Sequence, residues 1–154
     1  MEQTFRLFVA KSLASSKVFC RRGLFSESPH PYGGNMHTRL HEKLIVWQEA
    51  YFLCLWIYDL TSRLPSSERF RLVDQMCRSS YSIPTNIAEG NARRTPKDKR
   101  HYLDIASGSL EELHCQTKIC HDLKYISEED FEKTDDHINR VSFLLTRFRS
   151  SIGN

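Results

Sequence analysis

The stretch SIPTNIAEGNARRTPKDKR, residues 82–100, joins two helical patterns and sets how they are arranged. Before it, from about Ser67, the positions Phe70, Val73, Cys77, Ser80, Pro84 and Ile87 recur along one side of a helix, and Leu72, Met76 and Ile83 widen that apolar face. Gly90 stands where a left-handed C-terminal cap would close this helix after Glu89. Thr95 then reads as the N-cap of the next helix, with Pro96 at its first position and Asp98 three residues past the cap. Only a few residues separate the two patterns, and so short a connection forces neighbouring helices antiparallel.

Working outward, the helix after Thr95 carries a seam at Leu103, Ala106, Leu110, Leu113, Thr117 and Cys120. The last helix starts at Ser127 with Glu128, Glu129 and Asp130 in its first turn, where carboxylates suit the positive end of the helix dipole. Its seam is Phe131, Thr134, Ile138, Val141, Leu145, Phe148 and Ile152. Toward the N-terminus, Leu44, Trp47, Tyr51, Cys54, Tyr58 and Thr61 give the same three-four rhythm, ended by Pro65. No stretch alternates with period two. The expected fold is all-α, an antiparallel up-down-up-down four-helix bundle spanning residues 36–154.

Three features of the opening stretch go beyond packing. Pro84 lies inside the second helix, where proline costs about 3 kcal/mol and favours a kink; Ser79, Ser80 and Ser82 are at hand to bond the carbonyls it frees. A polar stripe of Gln75, Arg78, Ser82, Asn86 and Glu89 shares one helix face. That stripe reads either as a solvated surface or as a network with Ser109 and Glu112 of the third helix, Gly108 permitting close approach. The third feature is a run of cations, Arg93, Arg94, Lys97, Lys99 and Arg100, around a helix start with Asp98 as the one opposing charge. Cations there oppose the helix dipole, and a broken local rule points to function, with phosphate or nucleic acid as the natural ligand. Solvated charge, or neutralisation by the acidic segment Glu128–Asp136, is the plainer alternative.

Composition bounds these readings. The 154 residues hold 22 Lys and Arg against 19 Asp and Glu, a net charge of +3. Residues 1–35 contain five of the bases and two of the acids, so the remainder is neutral and any nucleic-acid contact must be local. The first 35 residues end in the Pro- and Gly-rich SPHPYGGN and read as a disordered or non-native extension ahead of Met36, with an Arg- and Ser-rich targeting segment as the alternative. No apolar run approaches the roughly 20 residues that span a bilayer, and five scattered cysteines read as reduced, buried thiols of a cytoplasmic protein. His114, Cys115, Cys120 and His121 do not share a helix face, so no metal is expected. Glycine-rich phosphate loops, paired Glu-x-x-His motifs and nucleophile elbows are absent, so neither cofactor nor catalytic residue is expected.

The segment from Val46 to Leu113, VWQEAYFLCLWIYDLTSRLPSSERFRLVDQMCRSSYSIPTNIAEGNARRTPKDKRHYLDIASGSLEEL, resembles the four-helix-bundle proteins encoded in 23S rRNA intervening sequences, the S23 ribosomal protein group. These are related to the accessory variability determinants of diversity-generating retroelements. The resemblance covers about residues 40–150 and rests on Gln75, Arg78, Ser82, Ile83, Pro84, Asn86, Ala88, Glu89, Gly90 and Arg93, then Gly108, Ser109, Leu110, Glu112 and Leu113. It implies a non-enzymatic bundle, commonly a pentameric homo-oligomer, with RNA or DNA and a reverse transcriptase or other protein as partners.

Overall fold

Two matched caps start the last two helices. Thr95 is extended (φ −90°, ψ 143°), and its hydroxyl accepts the Asp98 amide at 3.1 Å; Ser127 does the same for the Asp130 amide, also at 3.1 Å. In the computed structural model, which describes residues 39–153, these caps open α3 (Pro96–Asp122) and α4 (Glu128–Ser151). They are preceded by α1 (Ile45–Thr61) and α2 (Leu72–Ala92), with 3-10 turns at Leu40–Lys43 and Ser66–Glu68. Among the described residues there is no strand. The expectations for residues 1–35, and for Cys20, lie outside the described residues.

Side-chain pairs give the direction of each helix against its neighbour. Thr61 meets Cys77 and Cys54 meets Ser80, so α1 and α2 run antiparallel. Ser79 with Gln116, Ser82 with Ser109, and Met76 with Cys120 do the same for α2 and α3. His114 with Asp135 and Asp104 with Arg149 order α3 against α4, and Trp56 with Thr134 closes the ring between α1 and α4. The architecture is the up-down-up-down four-helix bundle that the short connections demand.

The core confirms two seams and rotates a third. Every position of the α3 seam is buried, as are Thr134, Ile138, Val141 and Leu145 of α4. In α1 the core stripe is Val46, Ala50, Leu53, Ile57, Leu60 and, just past the helix, Leu64, displaced by about one residue from the expected seam. Cys54 and Thr61 of that seam are buried against α2, whereas Tyr51 and Tyr58 are exposed. The helix is apolar on two sides, and only packing against the other three decides which side is covered. In α2 the expected start is too early: Phe70 lies in the connection and is 86% exposed.

Gly90 also differs from expectation. It is buried inside α2, which continues to Ala92, and it adopts no left-handed conformation. A Cβ at this position would stand 3.0 Å from the Tyr102 Cβ and 3.3 Å from the Lys99 carbonyl, so the glycine is needed for the close approach of α3. The left-handed cap occurs instead after α3, at Lys124 (φ 62°). There the amides of Lys124 and Tyr125 bond the carbonyls of His121 and Cys120, each at 2.9 Å. Helix α2 runs unbroken through Pro84. The Ser79 and Ser80 hydroxyls bond carbonyls of residues 75–77, a turn before the one that proline frees, and Ser82 turns to Ser109.

Candidate nucleic-acid interface

The three-residue connection between α2 and α3 brings the five cations to one corner, but it does not treat them alike. Arg93 lies 3.6 Å from Glu89, donates to the Tyr102 hydroxyl, and places its guanidinium 4.4 Å from the centre of the Tyr102 ring. Arg100 reaches across the bundle end to the Gly153 carbonyl at 2.9 Å. These two hold the fold. The side chains of Arg94, Lys97 and Lys99 make no hydrogen bond or ion pair among the described residues. They surround the start of α3, where free amide donors and side-chain charge both favour an anion.

Neutralisation by the acidic segment of the same copy is excluded by length. The 27 residues of α3 separate the corner from the α4 start, roughly 40 Å at 1.5 Å per residue. That is several times the screening length of about 8 Å at physiological salt. Those carboxylates are also engaged locally: Asp130 with Arg63 at 2.9 Å, Glu128 with His121 at 2.9 Å, Glu129 with Lys133, and Asp135 with His114 at 3.2 Å.

The polar stripe forms an open groove between α2 and α3 of about 310 Å³, lined by Gln75, Arg78, Ser79, Tyr81, Ser82, Ser109 and Glu112. Ser82 and Ser109 share a hydrogen bond of 2.9 Å across the interface, and the Asn86 amide donates to the Ser82 carbonyl and hydroxyl. Beneath them the Ser79 hydroxyl donates to Gln116 Oε1, and Gln116 Nε2 donates to Glu112, both at 2.8 Å. The stripe is therefore a network against α3 as well as a wetted face. Gly108 does not provide the expected close approach: it is exposed, and a Cβ there would meet nothing within 4 Å. Tyr102 and Gln116 escaped the sequence reading. Tyr102 could have been found as the aromatic two residues beyond the cationic run, and Gln116 as a polar residue adjoining a largely apolar seam.

The thiols contribute no reactive group here. Burial raises the pKa of Cys54 and Cys77, and it pushes Cys120 up to about 11, with the Glu68 charge adding to the effect. Cys115, expected inside, is exposed on α3. His114, Cys115, Cys120 and His121 do not converge, and among the described residues no group of three or more His, Cys, Asp or Glu is placed to hold a metal ion. No helix among the described residues is long and apolar enough to cross a membrane.

A four-helix all-α protein with a serine-linked α2–α3 interface and a basic corner, three of whose side chains are unpaired among the described residues, is the class these observations define. Residues 42–147 match the 23S rRNA-intervening sequence protein family, and the chain belongs to that family. Its fold is similar to the crystal structure of a protein of unknown function from the S23 ribosomal protein family of Bacteroides thetaiotaomicron VPI-5482. The TM-score is 0.65 at 22% identity, covering 70% of this chain and 100% of that one. No functionally curated protein matches.

Proposed function

We propose that this protein is a non-enzymatic, oligomeric adaptor that grips nucleic-acid phosphates with the α2–α3 corner. The observation that carries this reading is the contrast within one cationic run: Arg93 and Arg100 are bound internally, while the Arg94, Lys97 and Lys99 side chains have no hydrogen bond or ion pair among the described residues. Three such cations give a local, salt-sensitive grip on a phosphate backbone, a mode that needs no excess of charge over the whole chain. The family's name ties its members to an intervening sequence of 23S rRNA, which makes RNA the polymer to test first.

The test is fluorescence anisotropy of a labelled RNA titrated with protein over a series of salt concentrations. Replacing Arg94, Lys97 and Lys99 by Ala should weaken binding and lower the slope of log K against log salt by roughly two to three. No binding by the parent, or an unchanged slope in the variant, overturns the proposal. A second reading, a structural self-associating bundle without nucleic-acid binding, is favoured by the aliphatic side chains of Ile105 and Ile119 left exposed on α3. The homo-oligomer implied by the family resemblance agrees with it.

A further inference from the structure

The cationic corner also carries rings. His101 and Tyr102 follow directly on Arg100, and their centroids lie 5.8 Å apart with the planes at 74°, edge to face. Tyr102 is packed closely on α2 at Gly90, where an added Cβ would come within 3.0 Å of its own, and the Arg93 guanidinium lies 4.4 Å from its ring centre. His101 is exposed and leans on this fixed ring, and it makes no hydrogen bond or ion pair among the described residues. Cations surround it. Lys97 stands one turn earlier on the same face of α3, and Arg94 lies just ahead of the helix. The carboxylates close by in sequence are each held within the chain: Glu89 lies 3.6 Å from Arg93, Asp98 accepts the Thr95 hydroxyl at 2.7 Å, and Asp104 pairs with Arg149 at 2.6 Å.

Phosphate contact alone does not call for that ring. In a duplex the base faces are stacked on one another, and a protein meets phosphates, sugars and groove edges. In a single strand the faces are open, and each can stack on a side-chain ring whatever the sequence. The patch is also short. From Lys97 to His101 the helix advances about 6 Å, against the roughly 16 base pairs that a dedicated duplex-binding module spans. We infer that the corner takes single-stranded RNA in preference to duplex, one base stacking on the exposed His101 ring while Arg94, Lys97 and Lys99 hold the flanking phosphates. Tyr102 is a positioning residue: it fixes the His101 ring, so that little conformational freedom is lost on binding. The inference rests on the phosphate-grip reading above and adds the form of the polymer.

Anisotropy of a short labelled RNA without self-complementarity, alone and annealed to its complement, tests this on the full chain at pH 8. The single strand should bind about tenfold tighter than the duplex at equal salt. His101→Ala should weaken single-strand binding by roughly 5- to 100-fold while leaving duplex binding and the slope of log K against log salt unchanged. His101→Phe should keep the parent affinity because it keeps a ring, and His101→Lys should not, because it offers charge alone. The position is exposed, and circular dichroism checks that each variant is folded. Three outcomes overturn this inference and leave the phosphate grip standing: a duplex bound as tightly as the single strand, a His101→Ala variant with the parent's single-strand affinity, or a His101→Lys variant that matches His101→Phe. A parent that binds neither form overturns both.

Discussion

Helices α3 and α4 begin with the same device and opposite electrostatics. Thr95 and Ser127 each accept the amide three residues on, and each donates to the aspartate there, Asp98 or Asp130. At the α4 start, carboxylates sit at the positive end of the dipole, and Asp130, Glu128 and Glu129 are matched by Arg63, His121 and Lys133. At the α3 start, cations oppose the dipole, and Arg94, Lys97 and Lys99 have no match in the described chain. A helix start whose charges agree with the fold is explained by folding alone. One whose charges disagree is not explained by the folded chain, and the proposed phosphate contact would account for it.

The largest blow to this contrast comes from removing the close approach that builds the basic corner. Gly90→Leu must push aside the Tyr102 side chain and the Lys99 carbonyl, and it should cost about 3 kcal/mol in urea denaturation. Next in size is alkaline titration, which acts at the acidic end, where Cys120 lies one turn from the end of α3. Its folded pKa of about 11 stands above the reference 9.0. The folded state therefore holds the proton more tightly, and stability present below pH 9 is lost as pH rises through 11, on the order of 2 kcal/mol. Chemical denaturation at stepped pH should show the fall, and Cys120→Ala should flatten it.

Smaller effects sharpen the comparison. Thr95→Ala and Ser127→Ala should each cost about 1 kcal/mol, equally, because the cap is the shared part. Charge reversal should then separate the two ends. Lys97→Glu should stabilise by about 0.3–1 kcal/mol at low salt, whereas Glu128→Lys should destabilise by a similar amount. Both shifts should shrink in high salt, as measured by thermal melting.

Sequence pattern was enough for the four helices, both Ser/Thr caps and the inward faces of α3 and α4, since each is a property of one segment. It misassigned α1 because Val46, Ala50, Leu53 and Ile57 share the spacing of Trp47, Tyr51, Cys54 and Tyr58, and the choice between faces is made by the other helices. It reversed the roles of two positions for the same reason. Gly90 looked like a cap and is a contact, while the left-handed cap fell to Lys124, which no propensity marks. The basic run was evident, but which cations are internally bound was not: the Arg100 bond to Gly153 joins residues 53 apart.

The two tryptophans of this chain stand on different surfaces of α1. Trp56 donates to Thr134 at 2.8 Å in the seam with α4, while Trp47 stacks on Tyr51 at the outer edge. Replacing Trp47 with Phe leaves Trp56 as a single emitter for the α1–α4 seam, and replacing Trp56 leaves Trp47 as the emitter for its stack with Tyr51. The protein thus comes with its own pair of optical reporters, one in each seam that α1 makes with the rest of the molecule's surface and core.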